Sequence, residues 1–286
     1  MEKLIDLGKY IEAGINKLEE SFSGLWRAID EVISWTVESM NDILLAIPFY
    51  IIIALVAFGA YYANAGKDTL NKVGLKKGGG MAAFVIFGLL LVSAMGYWDE
   101  SIQTTTLVLV ATVIALIFGI PLGILAARSK PAELIIRPIL DLMQTMPAFV
   151  YLIPAIFFFS VGNTPGVIAT VIFSLPPAVR LTSLGIKNVP SDVIEAGHAF
   201  GATEKQILFK IQLPLAKPTI LAGINQVILL ALSMVVIASM VGARGLGSIV
   251  YQSIQQNDIA KGFESGLGIV ILAIILDRIT QSIAKK

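Results

Sequence analysis

The chain has 286 residues, 56% hydrophobic and only 14% charged, with a formal net charge of +1 and a mean hydropathy of +0.82. Soluble domains usually carry about 25% charged residues, and the deficit here is concentrated in long runs, so a soluble globular domain is excluded and a polytopic membrane protein is expected. With no cysteine in the chain, disulfides, thiolate metal sites and thiol nucleophiles are excluded as well.

Residues 1–42 carry four basic and nine acidic residues and no apolar run of the signal-peptide kind, so they are expected to stay attached. Ile11, Ile15, Leu18, Phe22, Leu25, Ile29 and Val32 recur at spacings of three and four. That period predicts an amphipathic helix, lying on the outer membrane surface or packed on the bundle, or else offered to a partner.

A span needs about 20 predominantly apolar residues. Seven segments qualify: 43–63, 81–98, 104–127, 142–161, 166–186, 219–243 and 265–283. Arg180 in the fifth is expected to reach an interface, and the seventh contains Asp277 and Arg278 near its end. Alternate connections differ sharply in charge. One set, with the C-terminus, holds 14 basic residues, among them Lys67, Lys72, Lys76, Lys77, Arg128, Lys130, Arg137, Lys187, Lys205, Lys285 and Lys286; the other holds only Arg244 and Lys261. The excess of positive charge predicts the N-terminus outside and the C-terminus inside.

Eight of the twelve prolines fall between 121 and 177. Each removes a helical hydrogen bond, and broken backbone at membrane depth is tolerated where protein or a water-filled cavity satisfies it. Gln144, Thr145 and Pro147 in "QTMP", with Ser174, Pro176 and Pro177 in "SLPP", are therefore candidates for a translocation path; ordinary kinked packing is the alternative. Gly119 and Gly123, flanking Pro121, point to a close helix contact. Arg137 and Asp141, four residues apart, are placed to pair on one helix face.

Residues 190–218 are polar and broken by glycine and proline, yet lie between two spans on the side assigned to the cytoplasm. They read as two short helices. Asp192 with Glu195 resembles one capping box and Thr203 with Gln206 a second, Gly201 suits the left-handed turn between the helices, and Pro214 is expected to end the second. Such a helix–turn–helix suits transmission of a rigid-body push, and a merely structural loop is the competing reading. His198, the only histidine, has no metal-ligand companions and is expected at the surface.

Glu195-Ala196-Gly197, three residues, Gly201, nine residues, then Ile211-Gln212-Leu213-Pro214 resembles the EAA loop of bacterial ABC importer permeases, with Gly197 where alanine is usual. Residues 240–281 and the acidic N-terminal extension resemble the membrane subunit of glycine betaine/proline betaine importers. The resemblance implies an all-α polytopic bundle of the type I ABC importer permease kind. It divides into an extracytoplasmic amphipathic segment (1–42), two first spans (43–98) and a permease core with the coupling loop (99–286). In that family the loop docks on a cytoplasmic ATPase, a role carried here to Glu195, Ala196, Gly201, Leu213 and Pro214, with Gly197 and Ile211 in the same motif. Glu195 either caps its own helix or reaches a basic group on the ATPase.

No G-x4-G-K-[ST] loop occurs in the chain, so ATP and Mg are expected on a partner ATPase and no cofactor on this chain. The resemblance implies two ATPase copies, a second permease copy, a separate extracytoplasmic binding protein and the lipid of a bacterial cytoplasmic membrane, with no nucleic acid. The expected function is import of glycine betaine or a related osmoprotectant. Choline, carnitine or another small solute is the alternative within the class. An ion-coupled secondary carrier would need a mid-span ionisable site and related halves, neither of which is evident. No nucleophile–base pair or HExxH motif suggests an enzyme.

Overall fold

The computed structural model describes residues 7–65 and 72–284. Lys67, Lys285 and Lys286, on which the charge argument also draws, lie outside the described residues, as do the side chains of Ile11, Lys72, Lys76 and Lys77. The described residues form helices and no strand: α1 Leu7–Ser21, α2 Ser23–Ala46, α3 Phe49–Ala65, α4 Lys72–Ala94, α5 Trp98–Arg128, α6 Lys130–Thr145, α7 Ala148–Phe159, α8 Asn163–Lys187, α9 Ser191–Ala199, α10 Glu204–Ile207, α11 Leu213–Ser239, α12 Leu246–Gln256 and α13 Ile259–Ala284. A π-helical segment, Leu208–Gln212, joins α10 to α11.

Among the described residues, four helices are long and apolar enough to cross a membrane: α5, α8, the α10–α11 run and α13. The apolar part of α4, Gly78–Ala94, is shorter and occupies the second expected span. The other two differ from expectation. The 43–63 segment is not one helix, because α2 and α3 meet at a 101° bend. Ile47, at φ −83° and ψ 127°, is extended, as the residue before a proline prefers, and Pro48 starts the new direction. The 142–161 segment breaks in the same way. Met146 is extended before Pro147, and α6 and α7 are bent by 102°. That leaves α7 with 12 residues, too few to cross the hydrocarbon by itself. The two bent pairs are broken spans or re-entrant elements.

In a bilayer there is little hydrophobic drive between helices, so close packing of small residues does the work. Helix α8 is central, and α5 and α11 lie against it. A β-carbon added at Gly119 would stand 2.5 Å from Ala178 Cβ, and one at Gly123 would stand 2.6 Å from Thr182 Cβ. The expected close contact is therefore the α5–α8 seam. On the other flank Gly223 of α11 meets Leu181 and the Pro177 carbonyl, and Gly185 of α8 meets Ala216. A second packed unit joins α3 and α4 to α13 through Ala57, Val85, Leu89, Ile271 and Ile275.

The N-terminal helix is present but breaks at Phe22, whose φ of −122° and ψ of 24° leave the helical region. Leu18, Phe22, Leu25 and Val32 are exposed. Ile33 and Val37 are buried against α5, with Ile29 and Met40 beside them. The face seated on the bundle is thus turned slightly from the one the spacing picks out. Ser34 Oγ and Thr164 Oγ1, 3.0 Å apart, tie α2 to the start of α8.

Candidate coupling site and translocation elements

The 190–218 loop is built from the turn chemistry of its own residues. Helix α9 ends in a Schellman arrangement: Gly201 N–H donates to the His198 carbonyl at 2.9 Å, and Ala202 N–H donates to that of Gly197 at 3.0 Å. Gly201 sits at φ +76°, where a side chain would be strained, and nothing stands within 4 Å of where its β-carbon would be. The glycine is therefore there for its backbone and not for space. Thr203 and Gln206 form the full reciprocal capping box at the start of α10, at 3.4 and 2.8 Å.

Two local expectations fail. Asp192 does not cap α9: the N-cap position falls on Pro190, no side chain bonds the first turn, and Asp192 is bonded instead by its neighbour Ser191. Glu195 is exposed and makes no capping bond, so its reading as the cap of its own helix fails. Pro214, in turn, does not stop the second helix. The preceding turn widens to π, Leu213 N–H reaches back to the Leu208 carbonyl, and the chain continues as α11 with Pro214 in its first turn. A proline there has no N–H to leave unpaired, and its fixed φ suits a first helical turn. The second loop helix and the α11 span are consequently one continuous rod.

Gly197 is buried where the two loop helices meet; a β-carbon there would stand 2.8 Å from Ile211 Cδ1 and 3.6 Å from Ile207 Cγ1. Ala196 is exposed beside Glu195, and Phe200 is 92% exposed. Ile211 and Leu213 are half-buried, whereas Pro214 is exposed. The loop thus presents one face to its own bundle and one outward.

Charged side chains fasten this loop to the bundle in a way sequence spacing does not reveal. Arg128 Nη2, at the end of α5, donates to Glu204 Oε2 at 2.6 Å, and His198 Nε2 lies 3.6 Å from Glu204 Oε1. Lys187, closing α8, pairs with Glu133 in the first turn of α6 at 2.6 Å. Asp141 pairs with Arg180 at 2.5 Å and not with Arg137, because α8 brings Arg180 against α6. A groove of about 330 Å³ between α6 and α8 holds Arg137, Asp141, Arg180 and Lys187. Asp277 also has a partner: Asn225 and Gln281 both donate to its carboxylate at 2.8–2.9 Å, which fits a structural role linking α11 and α13.

The six path candidates fall in two places. Gln144, Thr145 and Pro147 lie exposed around the α6–α7 bend, while Ser174, Pro176 and Pro177 are buried in α8. Ser174 Oγ has no hydrogen-bond partner among the described residues, nor do the buried hydroxyls of Thr112 and Thr182. A larger cavity, about 840 Å³, opens at the other end of the bundle between α2 and the connections after α7 and α11; Trp26, Asp30, Glu38, Phe159, Asn163 and Arg244 are in its lining. Its residues are scattered over the sequence, so no motif marks it.

Residues 119–286 match the family described as binding-protein-dependent transport system inner membrane component. The glycine betaine/carnitine transport permease protein GbuB of Listeria monocytogenes serotype 1/2a is 47% identical over 99% of this chain and 96% of its own length. The chain belongs to that family. The glycine betaine transport system permease protein OpuAB of Bacillus subtilis is 59% identical over 72% of this chain and 73% of its own. For the glycine betaine/proline betaine permease ProW of Escherichia coli the figures are 44%, 99% and 76%. Among solved structures, an inward-facing MetNI methionine ABC transporter aligns with a TM-score of 0.62 at 22% identity, over 66% of this chain and 94% of that one, which shows the shared fold. The chain is a multi-pass cytoplasmic-membrane transport subunit.

Proposed function

We propose that this chain is the permease subunit of an ATP-driven importer for glycine betaine or a related quaternary-amine solute, and that residues 190–218 couple it to the ATPase. The observation that carries the coupling is the outward face of the loop, with Glu195, Ala196 and Phe200 exposed on a Schellman-turned pair of helices, the second continuous with α11. A push on that face is a push on a membrane-spanning rod, because packed helices move as units. The solute assignment rests on relatives whose names include glycine betaine. Two ATPase copies carrying ATP and Mg, a second copy of this chain and an extracytoplasmic binding protein complete the assembly. Residues 1–42 form the outer segment, 43–98 the accessory spans and 99–286 the core. Gln144, Thr145 and Pro147 at the bend, with Ser174, Pro176 and Pro177 in α8, belong to the path that opens when the loop moves.

Proteoliposomes holding this chain, its ATPase and its binding protein test the reading. ATP-dependent accumulation of radiolabelled glycine betaine is expected, with competition by carnitine or choline reporting the solute range. Accumulation driven by an ion gradient without the ATPase overturns it.

A further inference from the structure

The loop touches the bundle through more than its two covalent ends. Its entry, Lys187, is held by Glu133 in the first turn of α6, and the first residue of its second helix, Glu204, is held by Arg128 at the last turn of α5. Residues 128 and 133 flank a tight corner: α5 ends at Arg128, Ser129 is extended and caps α6 by accepting from Ala132 N–H, and α6 begins at Lys130. Two ion pairs of opposite sense thus bind the base of the loop to one corner, and α6 runs from that corner to the 102° bend at Met146–Pro147.

We propose that the Arg128–Glu204 pair is the link through which movement of the loop reaches the α5–α6 corner and, along α6, the bend that carries Gln144, Thr145 and Pro147. Both are positioning residues. Three features assign this role to Arg128–Glu204. Its geometry is held at each end by a helix terminus, α5 on one side and the Thr203–Gln206 capping box on the other. Glu204 Oε1 also lies 3.6 Å from His198 Nε2, so the carboxylate stands where α5, α9 and α10 meet. And the pair is exposed enough, at 32% and 68% of the two side chains, that it adds little to stability. Its value is therefore where it holds the corner and not how firmly it holds the fold. Lys187–Glu133 fixes the other side of the base, so that the loop pulls the corner instead of rotating past it.

The inference rests on the coupling reading above, and its test separates the two. Arg128→Gln, Glu204→Gln and the exchange Arg128→Glu with Glu204→Arg are reconstituted with the ATPase and binding protein, and ATP hydrolysed per solute accumulated is measured. Each single change is expected to raise that ratio about two- to fivefold, the most an exposed pair worth up to about 1 kcal/mol can couple; the exchange is expected to bring it back. Unchanged melting temperatures in detergent show that the fold is intact. Single variants with the parent ratio overturn the link, and so do losses that the exchange fails to restore, since the residues would then act separately. The parent complex and a Gly201→Val variant run alongside. If the parent accumulates nothing with ATP, or Gly201→Val couples like the parent, the coupling reading fails and the link falls with it. If both controls behave as expected and only the Arg128 and Glu204 variants are silent, the link alone is wrong.

Discussion

Gly201 offers the cleanest perturbation, because its environment separates backbone strain from crowding. Its φ is +76°, and no heavy atom would lie within 4 Å of an added β-carbon. A side chain therefore costs only the left-handed conformation, about 1–2 kcal/mol for an ordinary L-residue. Asparagine tolerates that region, and a β-branched residue tolerates it least. The two bonds that turn α9 into α10, from Gly201 N–H and Ala202 N–H, depend on that φ. A strain of about 1–2 kcal/mol changes the ratio of intact to opened turn by a factor of about 5–30. ATP-driven uptake should fall in the order Gly201, Gly201→Asn, Gly201→Ala, Gly201→Val, with valine at least about fivefold below the parent. Amide hydrogen exchange at residues 201 and 202 should quicken in the same order. Equal losses for asparagine and valine would refute the argument, since sheer size would then matter where the structure shows open space. So would valine at parental rate.

Further expectations concern packing and buried bonds. At the α5–α8 seam Gly119→Ala drives a β-carbon into Ala178, costing about 1–3 kcal/mol as overpacking; thermal melting in detergent should show the loss, and adding Ala178→Gly should recover most of it. Buried Thr104 accepts from Leu246 N–H at 2.8 Å and pins the start of α12 to α5, so Thr104→Val should cost about 1–3 kcal/mol by stranding that donor, read as a lowered melting temperature. Asp277 accepts from Asn225 and Gln281; Asp277→Leu should lower the melting temperature because it strands both donors, whereas Asp277→Asn, which keeps an acceptor, should lose less. Gly197→Ala should be mild, since its β-carbon crowds the flexible end of Ile211 and meets Ile207 at ordinary contact distance, whereas Gly197→Leu should wedge the loop helices apart and reduce uptake.

Much of the site was written locally. The Schellman glycine at 201 and the Thr203–Gln206 box both form as spacing suggested, because the groups that satisfy each other lie within a few residues. Asp192 shows the limit of that logic: the residue type fits an N-cap, yet Pro190 takes the position, since its extended backbone already sets the entry to α9. Pro214 also departs from its local expectation. It sits inside a rod that runs on, because the π turn shifts the backbone register just where the proline has no N–H to give, and Pro176 and Pro177 inside α8 likewise leave their helix unbroken.

Composition and hydropathy alone determined that this is a helical membrane protein and where its apolar segments lie, because a bilayer imposes a span length on any chain that crosses it. Tertiary structure decided the partners. Asp141 joins Arg180 across 39 residues, Arg128 joins Glu204 across 76 and Thr104 meets Leu246 across 142. Such pairs depend on how α5, α6, α8 and α11 are set against one another, and that setting comes from small-residue contacts such as Gly119 on Ala178, whose mates no local spacing identifies.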